Sequence, residues 1–242
     1  MRAETVARLR AAGCVFAEEE ADLLLAAPDP AAATARRVAG EPLEHVLGWA
    51  EFCGLRVAVE PGVFVPRKRT EDLVDAAVAA GGRVVLDLCC GSGAVGMAIE
   101  ARLGAVELTA VDIDPTAVRC ARRNIGDRVL LGDLYAPLPS TLLGRVDLLA
   151  VNAPYVPTDA IALLPPEARD HEPRTAVDGG PDGLDTHRRV AADAARWLAP
   201  GGTLLIETHE SQAPAAAAIF AAAGLTPGAT HGPAATIVTG TR

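Results

Sequence analysis

The sequence is poor in aromatic side chains. Phe, Trp and Tyr make up 3% of its 242 residues, whereas half of the residues are hydrophobic, so we expect an aliphatic core of Leu, Val and Ala. Positive charge is also scarce, because 22 basic residues stand against 31 acidic ones and the formal net charge is −9. Nucleic acids are bound by basic faces and, when single-stranded, by stacking aromatics. We therefore predict that the chain does not bind nucleic acid directly.

Long apolar runs are absent too. No stretch reaches the roughly 18 apolar residues of a transmembrane helix, and the charged first residues lack the apolar segment of a signal peptide. We therefore predict no contact with a membrane.

The five cysteines are odd in number and lack a CxxC pair. This usage predicts reduced thiols in a cytoplasmic protein, without a metal site.

Strand-like and helix-like segments alternate along most of the chain. The predicted strands begin at residue 83 and continue at 105–111, 128–131, 146–151 and 202–207. The predicted helices are 70–80, 94–102, 115–123, 184–198 and 213–223. Such alternation is typical of an α/β fold, a mostly parallel, doubly wound sheet with helices on both faces. Residues 234–239 have no helix after them, so we expect them to return as an antiparallel edge strand.

The amino-terminal part differs from this pattern. Residues 2–13, 18–27 and 30–39 are predicted to be short helices, and 52–60 a strand of a hairpin. We therefore divide the chain into a short N-terminal helical segment (1–48), a β-hairpin linker (49–69) and a main domain (70–242). We expect the N-terminal helices to pack on the main domain or on a second subunit, although the sequence does not indicate an oligomeric state.

The tetrapeptide Asn152-Ala153-Pro154-Tyr155 follows the apolar strand 146–151. In open α/β sheets, ligands lie at the carboxyl ends of strands. The Asn152 side chain and the carbonyl of residue 153 can accept hydrogen bonds from a planar NH2 group, with Pro154 restricting the backbone and Tyr155 forming a flat wall. These residues are thus candidates for substrate binding, with catalytic roles for Asn152 and Tyr155. The alternative is a strand-ending turn.

A glycine-rich loop, Asp87-Leu88-Cys89-Cys90-Gly91-Ser92-Gly93, lies between the first strand of the main domain and helix 94–102. Its glycines allow a ligand to approach the backbone, and the helix N-terminus favours an anionic group. With Gly96 the glycines formally match a dinucleotide fingerprint. However, the Asp87 carboxylate, expected near the loop mouth, would repel a pyrophosphate and suits an amino group. Cys89 and Cys90 either fill space or are reactive.

Two further acidic residues follow the next strands. Asp112 lies about twenty residues past Gly93, the spacing typical of a carboxylate that binds a ribose diol. Asp133 is placed to accept from an adenine amino group. The alternative is that both are solvated strand-end carboxylates. A ligand with an ammonium, a carboxylate and a ribose but no phosphate fits this set, and S-adenosylmethionine is the common one.

Together these motifs resemble the HemK/PrmC family of protein-glutamine methyltransferases. The matching segments span roughly residues 40 to 240 and come in order: 40–43, 52–54, 63–67 with 70–71, 87–93, 112, 132–134, 152–155, 172–174, 178–180 and 182–184. The resemblance implies a Rossmann-like class I methyltransferase fold and S-adenosylmethionine as the cofactor. It also implies methyl transfer to a glutamine amide, as on the Gly-Gly-Gln loop of translation release factors.

The resemblance also implies a set of site residues. The implied cofactor-binding residues are Phe64, Arg67, Asp87, Cys89, Cys90, Gly91, Ser92, Gly93, Asp112, Ile113, Asp133, Leu134 and Asn152. The region 155–185 is a loop of about thirty residues, rich in Pro, Asp and Gly. Because long loops without secondary structure are seldom idle connections, we expect a lid or a wall that faces the substrate.

The chain departs from the family pattern in three places. Position 153 is Ala where the family usually has Pro, and residues 66–71 read Pro-Arg-Lys-Arg-Thr-Glu where it has Pro-Arg-Pro-x-Thr-Glu. Only about 40 residues precede Gly40, fewer than in the usual recognition domain of the family. An amine or amide of a small molecule is therefore an alternative acceptor. A cofactor-binding protein without turnover is an alternative of another class, against which Asn152 and Tyr155 count.

Overall fold

A computed structural model describes all residues from Met1 to Arg242. The helices are α1 (Arg2–Ala11), α2 (Ala17–Leu25), α3 (Pro30–Val38), α4 (Leu43–Leu47), α5 (Glu71–Ala80), α6 (Ala94–Leu103), α7 (Pro115–Ile125), α8 (Pro166–His171), α9 (Asp185–Trp197) and α10 (Ala213–Ala222). The strands are β1 (Trp49–Phe52), β2 (Leu55–Ala58), β3 (Val84–Leu88), β4 (Glu107–Asp112), β5 (Val129–Leu131), β6 (Val146–Val151), β7 (Leu198–Thr208), β8 (Thr226–His231) and β9 (Thr236–Thr241). None of the helices is long and apolar enough to cross a membrane.

The main sheet has seven strands in the order β5-β4-β3-β6-β7-β9-β8. The first five are parallel, and β9 pairs antiparallel with both β7 and β8. The chain proceeds outward from β3 in one direction through β4 and β5, and in the other through β6 and β7. The reversal lies between β3 and β6, where Leu88 is paired with Val151. Ligands of open α/β sheets bind at such a switch point.

The predicted fold class, a mostly parallel sheet with an antiparallel edge, is confirmed, but the edge differs in detail. The carboxyl-terminal strand β9 lies between β7 and β8, so the edge strand is β8, which the sequence did not reveal. All residues of β8 are exposed, and Pro227 lies within it. A strand without a buried face lacks hydrophobic alternation, and proline is tolerated at an edge because one side of the strand needs no hydrogen-bond donor.

Helices cover both faces of the sheet, and side-chain alternation along each strand supplies the two cores. In β3, Leu86 and Leu88 belong to the hydrophobic cluster on one face, and Val85 belongs to the cluster on the other. Because residues two apart share a face, Asp87 lies on the same face as Val85.

The start of helix α7 has a clear signal in the sequence. The Asp114 side chain caps the helix by accepting from the Thr116 amide, and Pro115 is the first helical residue.

The N-terminal helices pack mainly on one another. Residues of α1, α2 and α3 form a separate small core, which consists of Val6, Leu9, Ala17, Ala21, Leu24 and Ala33.

The hairpin of β1 and β2 lies within the predicted linker. The predicted strand 52–60 was wrong at its first residues, because the second strand of the hairpin begins at Leu55. Phe52 ends β1, and the turn falls at Cys53 and Gly54, both with positive φ. The apolar alternation continued across this turn, so it did not show in the sequence.

Candidate functional site

A cavity of about 750 Å³ opens at the carboxyl ends of the parallel strands. It is lined by nearly all residues that the sequence singled out, namely Phe64, Arg67, Cys89, Cys90, Gly91, Ser92, Asp112, Ile113, Asp133, Leu134, Asn152, Ala153, Pro154 and Tyr155. Along the sheet edge the loops after β5, β4 and β3 come first, and the tetrapeptide after β6 follows. We call the part lined by residues 89–92, 94–95, 111–114 and 132–134 the cofactor half. Gly93, which was also predicted to bind the cofactor, does not line it. The part lined by 62–70 and 164–178 is the acceptor half.

The glycine-rich loop makes a tight turn that is closed by a backbone hydrogen bond. The Gly93 amide donates to the Cys90 carbonyl at 2.7 Å, and Cys89, Gly91 and Gly93 all have positive φ. At Gly93 a Cβ atom would lie 3.1 Å from Ile125, so the loop also packs closely on α7. Burial raises the pKa of both the Cys89 and the Cys90 thiol. Neutral, enclosed thiols favour the interpretation that these cysteines fill space rather than react.

Asp112, the last residue of β4, is hydrogen-bonded to the glycine-rich loop. One carboxylate oxygen accepts from the Gly91 amide at 2.8 Å, and the other accepts from the Asp114 amide at 2.9 Å. Each oxygen keeps a further lone pair, as binding a diol requires, and Asp112 lines the cavity. Burial raises the pKa of Asp112, and the backbone donors oppose that effect. The carboxylate therefore both shapes the loop and offers an acceptor to a ligand.

Asp87 lies elsewhere than the sequence suggested. It does not line the cavity but is buried beneath the start of α6, where Oδ2 accepts from the Gly96 amide at 2.9 Å. A Cβ atom at position 96 would lie 3.0 Å from that oxygen and 3.1 Å from Leu108, so a side chain there would crowd both. The other oxygen, Oδ1, has no partner, and burial raises the pKa of Asp87 to about 7. The expected position at the loop mouth is wrong, and direct contact with a ligand amino group stays a prediction.

Asp133 and Ile113 lie at the rim of the cofactor half. Asp133 is half-exposed and binds Arg189 of α9 at 2.6 Å, a partner that the sequence did not indicate. Ile113 is an exposed large hydrophobic residue. A planar group such as adenine could pack against Ile113 while its amino group meets the Asp133 carboxylate. On the opposite wall, Thr70 is buried and its hydroxyl has no partner in the protein.

Arg67 is held in place by Glu172, which lies 105 positions later in the chain. The Arg67 guanidinium donates to Glu172 Oε2 at 2.7 Å, and the Val65 amide donates to Oε1 at 3.1 Å. The same guanidinium lies 5.0 Å from the centre of the Phe64 ring. Burial raises the pKa of Glu172, and Arg67 opposes this shift. The pair fastens the long segment after β6 to the linker, which agrees with its predicted role as a wall.

The tetrapeptide lies at the end of β6, directly beside the glycine-rich loop. Ala153 is buried, whereas Asn152 is partly exposed to the cavity. The Tyr155 hydroxyl donates to Glu207 at 3.0 Å, and its carbonyl accepts from Gln212 at 3.0 Å. Neither Glu207 nor Gln212 belonged to a motif. Glu207 is the penultimate residue of the apolar strand β7, and this position was the only feature in the sequence that could have marked it as a site residue.

The comparisons with known proteins concern the family of this chain. Residues 54–162 match the family model described as "Methyltransferase small domain". The release factor glutamine methyltransferase of Geobacter sulfurreducens is 41% identical over 197 residues, which is 78% of this chain and 68% of that protein. The chain belongs to the HemK/PrmC methyltransferase family. The prediction of a methyltransferase is thereby confirmed, and family and fold imply S-adenosylmethionine as its cofactor.

A second kind of relative acts on a small molecule. The 4-amino-L-phenylalanine/4-methylamino-L-phenylalanine methyltransferase of Streptomyces pristinaespiralis is 36% identical over 239 residues, covering 92% of this chain and 80% of that protein. In contrast, the release factor glutamine methyltransferase of Streptomyces coelicolor matches over only 66% of its own length. The chain thus spans about two thirds of these two release factor enzymes and 80% of that of Cereibacter sphaeroides.

Solved structures agree on the fold. A methyltransferase from Pyrococcus furiosus superposes with a TM-score of 0.56 at 17% identity, over 78% of this chain and 89% of that one. The Thermus thermophilus 16S rRNA N2 G1207 methyltransferase, solved with AdoMet and guanosine, has a TM-score of 0.51 at 20% identity, over 80% of this chain and 44% of that one.

Proposed function

We propose that this member of the HemK/PrmC family transfers a methyl group from S-adenosylmethionine to the side-chain amide nitrogen of a glutamine, in a protein such as a translation release factor. The observation that carries the proposal is the pairing of Leu88 with Val151. It places the glycine-rich loop and the Asn152–Tyr155 tetrapeptide next to each other in one cavity. A methyl donor in the first and an NH2 group at the second would therefore meet.

The residues of the cofactor half fit the implied cofactor. Asp112 would accept from the ribose hydroxyls, Asp133 from the adenine amino group, and Ile113 would pack on the adenine face. Residues 89–92, together with Phe64 and Arg67 on the opposite wall, would enclose the remainder. When bound, the cofactor supplies an electrophilic methyl group on a sulfonium, so the protein mainly aligns and dehydrates the reactants.

Asn152 and Ala153 would prepare the acceptor nitrogen. An amide nitrogen is a weak nucleophile because its lone pair is delocalised into the carbonyl group. If the Asn152 side-chain oxygen and the Ala153 carbonyl each accept one N–H bond, they favour the pyramidal nitrogen that attacks. The nitrogen becomes acidic only after transfer, so no general base is needed beforehand. Tyr155 would not act as one near neutral pH, because burial and the Glu207 carboxylate raise the pKa of Tyr155 to about 12.

The acceptor half is shaped for a single side chain or a small molecule. Its wall consists mainly of small and apolar residues from the segment after β6, namely Leu164, Pro165, Ala168, Pro173, Ala176 and Val177. Arg67 and Glu172 neutralise each other there, and Glu167 binds Arg37, which it shares with Glu20. A mostly apolar lining suits an uncharged amide. Five free cysteines and a release factor substrate both agree with a cytoplasmic location, which we also propose.

A second candidate acceptor is the aryl amine of an amino acid. The observation that favours it is the match to the aminophenylalanine enzyme over 92% of this chain, against 74–87% of the chain for the release factor enzymes compared. A small planar amine would use the same two acceptors at Asn152 and Ala153. The two candidates differ in what must fit outside the cavity: a protein loop needs a docking face, and a free amino acid needs none.

The experiment uses labelled S-adenosylmethionine and three acceptors. These are a release factor, the same factor with the Gln of its Gly-Gly-Gln loop replaced by Ala, and 4-aminophenylalanine. Label on the first protein but not on its Gln→Ala form supports glutamine methylation, and mass spectrometry of the loop peptide locates the methyl group. Label on 4-aminophenylalanine alone supports the second candidate. Binding of S-adenosylmethionine without label on any acceptor would contradict both.

A further inference from the structure

The Tyr155 ring is anchored through its hydroxyl to a buried carboxylate. The O–H group donates to Glu207 Oε1 at 3.0 Å, and the Glu207 side chain is 1% exposed. Glu207 is at the end of β7, the neighbour of β6, from which Tyr155 follows. The bond therefore joins the ends of two adjacent strands at the edge where the site lies. The raised pKa keeps the Tyr155 hydroxyl a donor at any neutral pH.

Arg69 completes this contact from the linker. Its Nε donates to the same oxygen of Glu207 at 3.1 Å, and its guanidinium lies 5.9 Å from the centre of the Tyr155 ring. Arg69 lines the acceptor half and remains 46% exposed. A buried carboxylate without a cation would be costly, so Arg69 offsets the charge that Glu207 brings. This arginine stands in the stretch 66–71, where the chain departs from the usual family pattern.

The backbone of Tyr155 is fixed as well. The Gln212 side chain donates to the Tyr155 carbonyl at 3.0 Å and to the Asp182 carbonyl at 2.9 Å. A Cβ atom at Gly183 would lie 2.2 Å from that Tyr155 carbonyl, so only glycine allows this approach. With both the carbonyl and the hydroxyl bound, the two side-chain torsions of Tyr155 have little freedom. The ring is held at both ends by residues outside the tetrapeptide.

We propose that Glu207, assisted by Arg69, is a positioning residue that acts through the Tyr155 hydroxyl and holds the ring against the acceptor nitrogen; this rests on the methyl transfer proposed above. Glu207 does not line the cavity, so its effect reaches the acceptor only through Tyr155. A methyl transfer between two bound groups depends steeply on alignment, and a small displacement of one wall lowers the rate. Tyr155 thus depends on a residue more than fifty positions away.

The kinetic test is a double-mutant cycle of Glu207→Gln and Tyr155→Phe. Glu207→Gln keeps the shape and an acceptor but removes the charge, and Tyr155→Phe removes only the hydroxyl. We expect each to lower kcat about tenfold, with the double variant no slower than the slower single one, because both weaken the same contact. Cofactor affinity should stay unchanged. Effects that multiply to about a hundredfold in the double variant would overturn the proposal.

Glu210→Gln is the matched control, since it makes the same change at an exposed position three residues later. We expect it to leave kcat unaltered. Arg69→Gln provides a further variant: it should lower kcat in the same direction while cofactor affinity stays constant. If Arg69→Gln leaves kcat unchanged, the assistance by Arg69 is wrong.

A readout without turnover separates this proposal from the proposed function. The chain holds only two tyrosines, so carbon-13-labelled tyrosine gives two ring-hydroxyl carbon signals, which Tyr155→Phe assigns. In Glu207→Gln the Tyr155 signal should shift, while the signal of Tyr135, which donates to Val190, should stay in place. An unmoved Tyr155 signal would overturn the anchoring. If the signal shifts but no acceptor is methylated by the wild type, the proposed function has failed and the anchoring has not.

Discussion

Arg37 of α3 binds Glu167 of α8 at 2.6 Å, across 130 positions of the chain. The same guanidinium binds Glu20 of α2 at 2.6 Å and the Glu41 carbonyl at 3.0 Å. Arg37 and Glu20 are both buried, so this arginine joins the core of the N-terminal helices to the wall of the acceptor half. The N-terminal helices thus contact the main domain at Glu167, in the segment that lines the acceptor half.

Replacement of Arg37 by Ala should be strongly destabilising. It leaves the Glu20 carboxylate buried without its cation, for which we expect a loss of about 3–5 kcal/mol in the free energy of unfolding. Arg10→Ala is the control, because its pair with Glu18 is exposed and should contribute about 0–1 kcal/mol. Urea unfolding of both variants checks this. A loss for Arg37→Ala no greater than for Arg10→Ala would contradict the role of the buried pair.

Removal of residues 1–39 should affect the acceptor more than the cofactor. The residues of the cofactor half all lie beyond position 88, whereas Glu167 loses its arginine in the truncated protein. We expect S-adenosylmethionine to bind a chain that begins at Gly40 with nearly normal affinity, as measured by calorimetry, and methylation of the acceptor to be lost. A truncated protein that methylates its acceptor as well as the full chain does would show that these helices have no part in recognition.

Asp112→Ala should weaken cofactor binding. The change removes the acceptor proposed for the ribose and the support of the Gly91 amide, and an unpaired polar group costs about 1–3 kcal/mol. Asp112→Asn, which keeps one acceptor oxygen, should lose less. Calorimetric titration with S-adenosylmethionine measures both, with NAD as the comparison ligand. Tight binding of NAD with no binding of S-adenosylmethionine would instead restore the dinucleotide interpretation of the glycine-rich loop.

Asn152→Ala should separate catalysis from binding. If the amide oxygen of Asn152 acts mainly in the transition state, the activation free energy should rise by about 3–4 kcal/mol, which lowers kcat a few hundredfold or more. Cofactor affinity should fall much less, because most of the proposed cofactor contacts come from residues 89–92, Asp112 and Asp133. Ala153→Pro keeps the carbonyl acceptor and should retain activity. Unchanged turnover in Asn152→Ala would move the acceptor site elsewhere, most plausibly to the segment 155–185.

Asp87 should make stability depend on pH. Its pKa in the folded state is about 7, above the value near 4 of an unfolded chain, because burial disfavours the charged form. The folded state therefore holds this proton more tightly, and the free energy of unfolding falls as the pH rises from about 4 to about 7, by at most about 1.4 kcal/mol per pH unit.

Asp87→Asn should remove this slope, and the difference from the wild type in urea unfolding at several pH values measures it. His187 acts in the opposite direction, since burial lowers its pKa to about 4 and its contribution is lost as the pH falls below about 6.5. It is present in both proteins and cancels in the difference. A difference that stays constant between pH 4 and pH 7 would show that Asp87 does not titrate there.

Local sequence patterns were sufficient for much of the fold. Buried parallel strands are short apolar runs, and β3, β4, β5 and β6 all showed as such. Helix α7 was marked by its Asp114-Pro115 start. The exposed strand β8 carries no such pattern, and the turn at Cys53-Gly54 interrupts no alternation. Both escaped prediction because only their partner strands define them.

The sequence by itself determined the class of the sheet, the two motifs proposed to bind donor and acceptor, and the family, because these depend on residues that are neighbours in the chain. Only the tertiary structure decided how distant residues meet. It placed Asp87 beneath α6 rather than at the cavity, and it brought Glu207 and Gln212 to Tyr155. These contacts depend on which strands are neighbours and which way a strand-end side chain faces. Both are fixed by packing of the whole sheet, which no local pattern encodes.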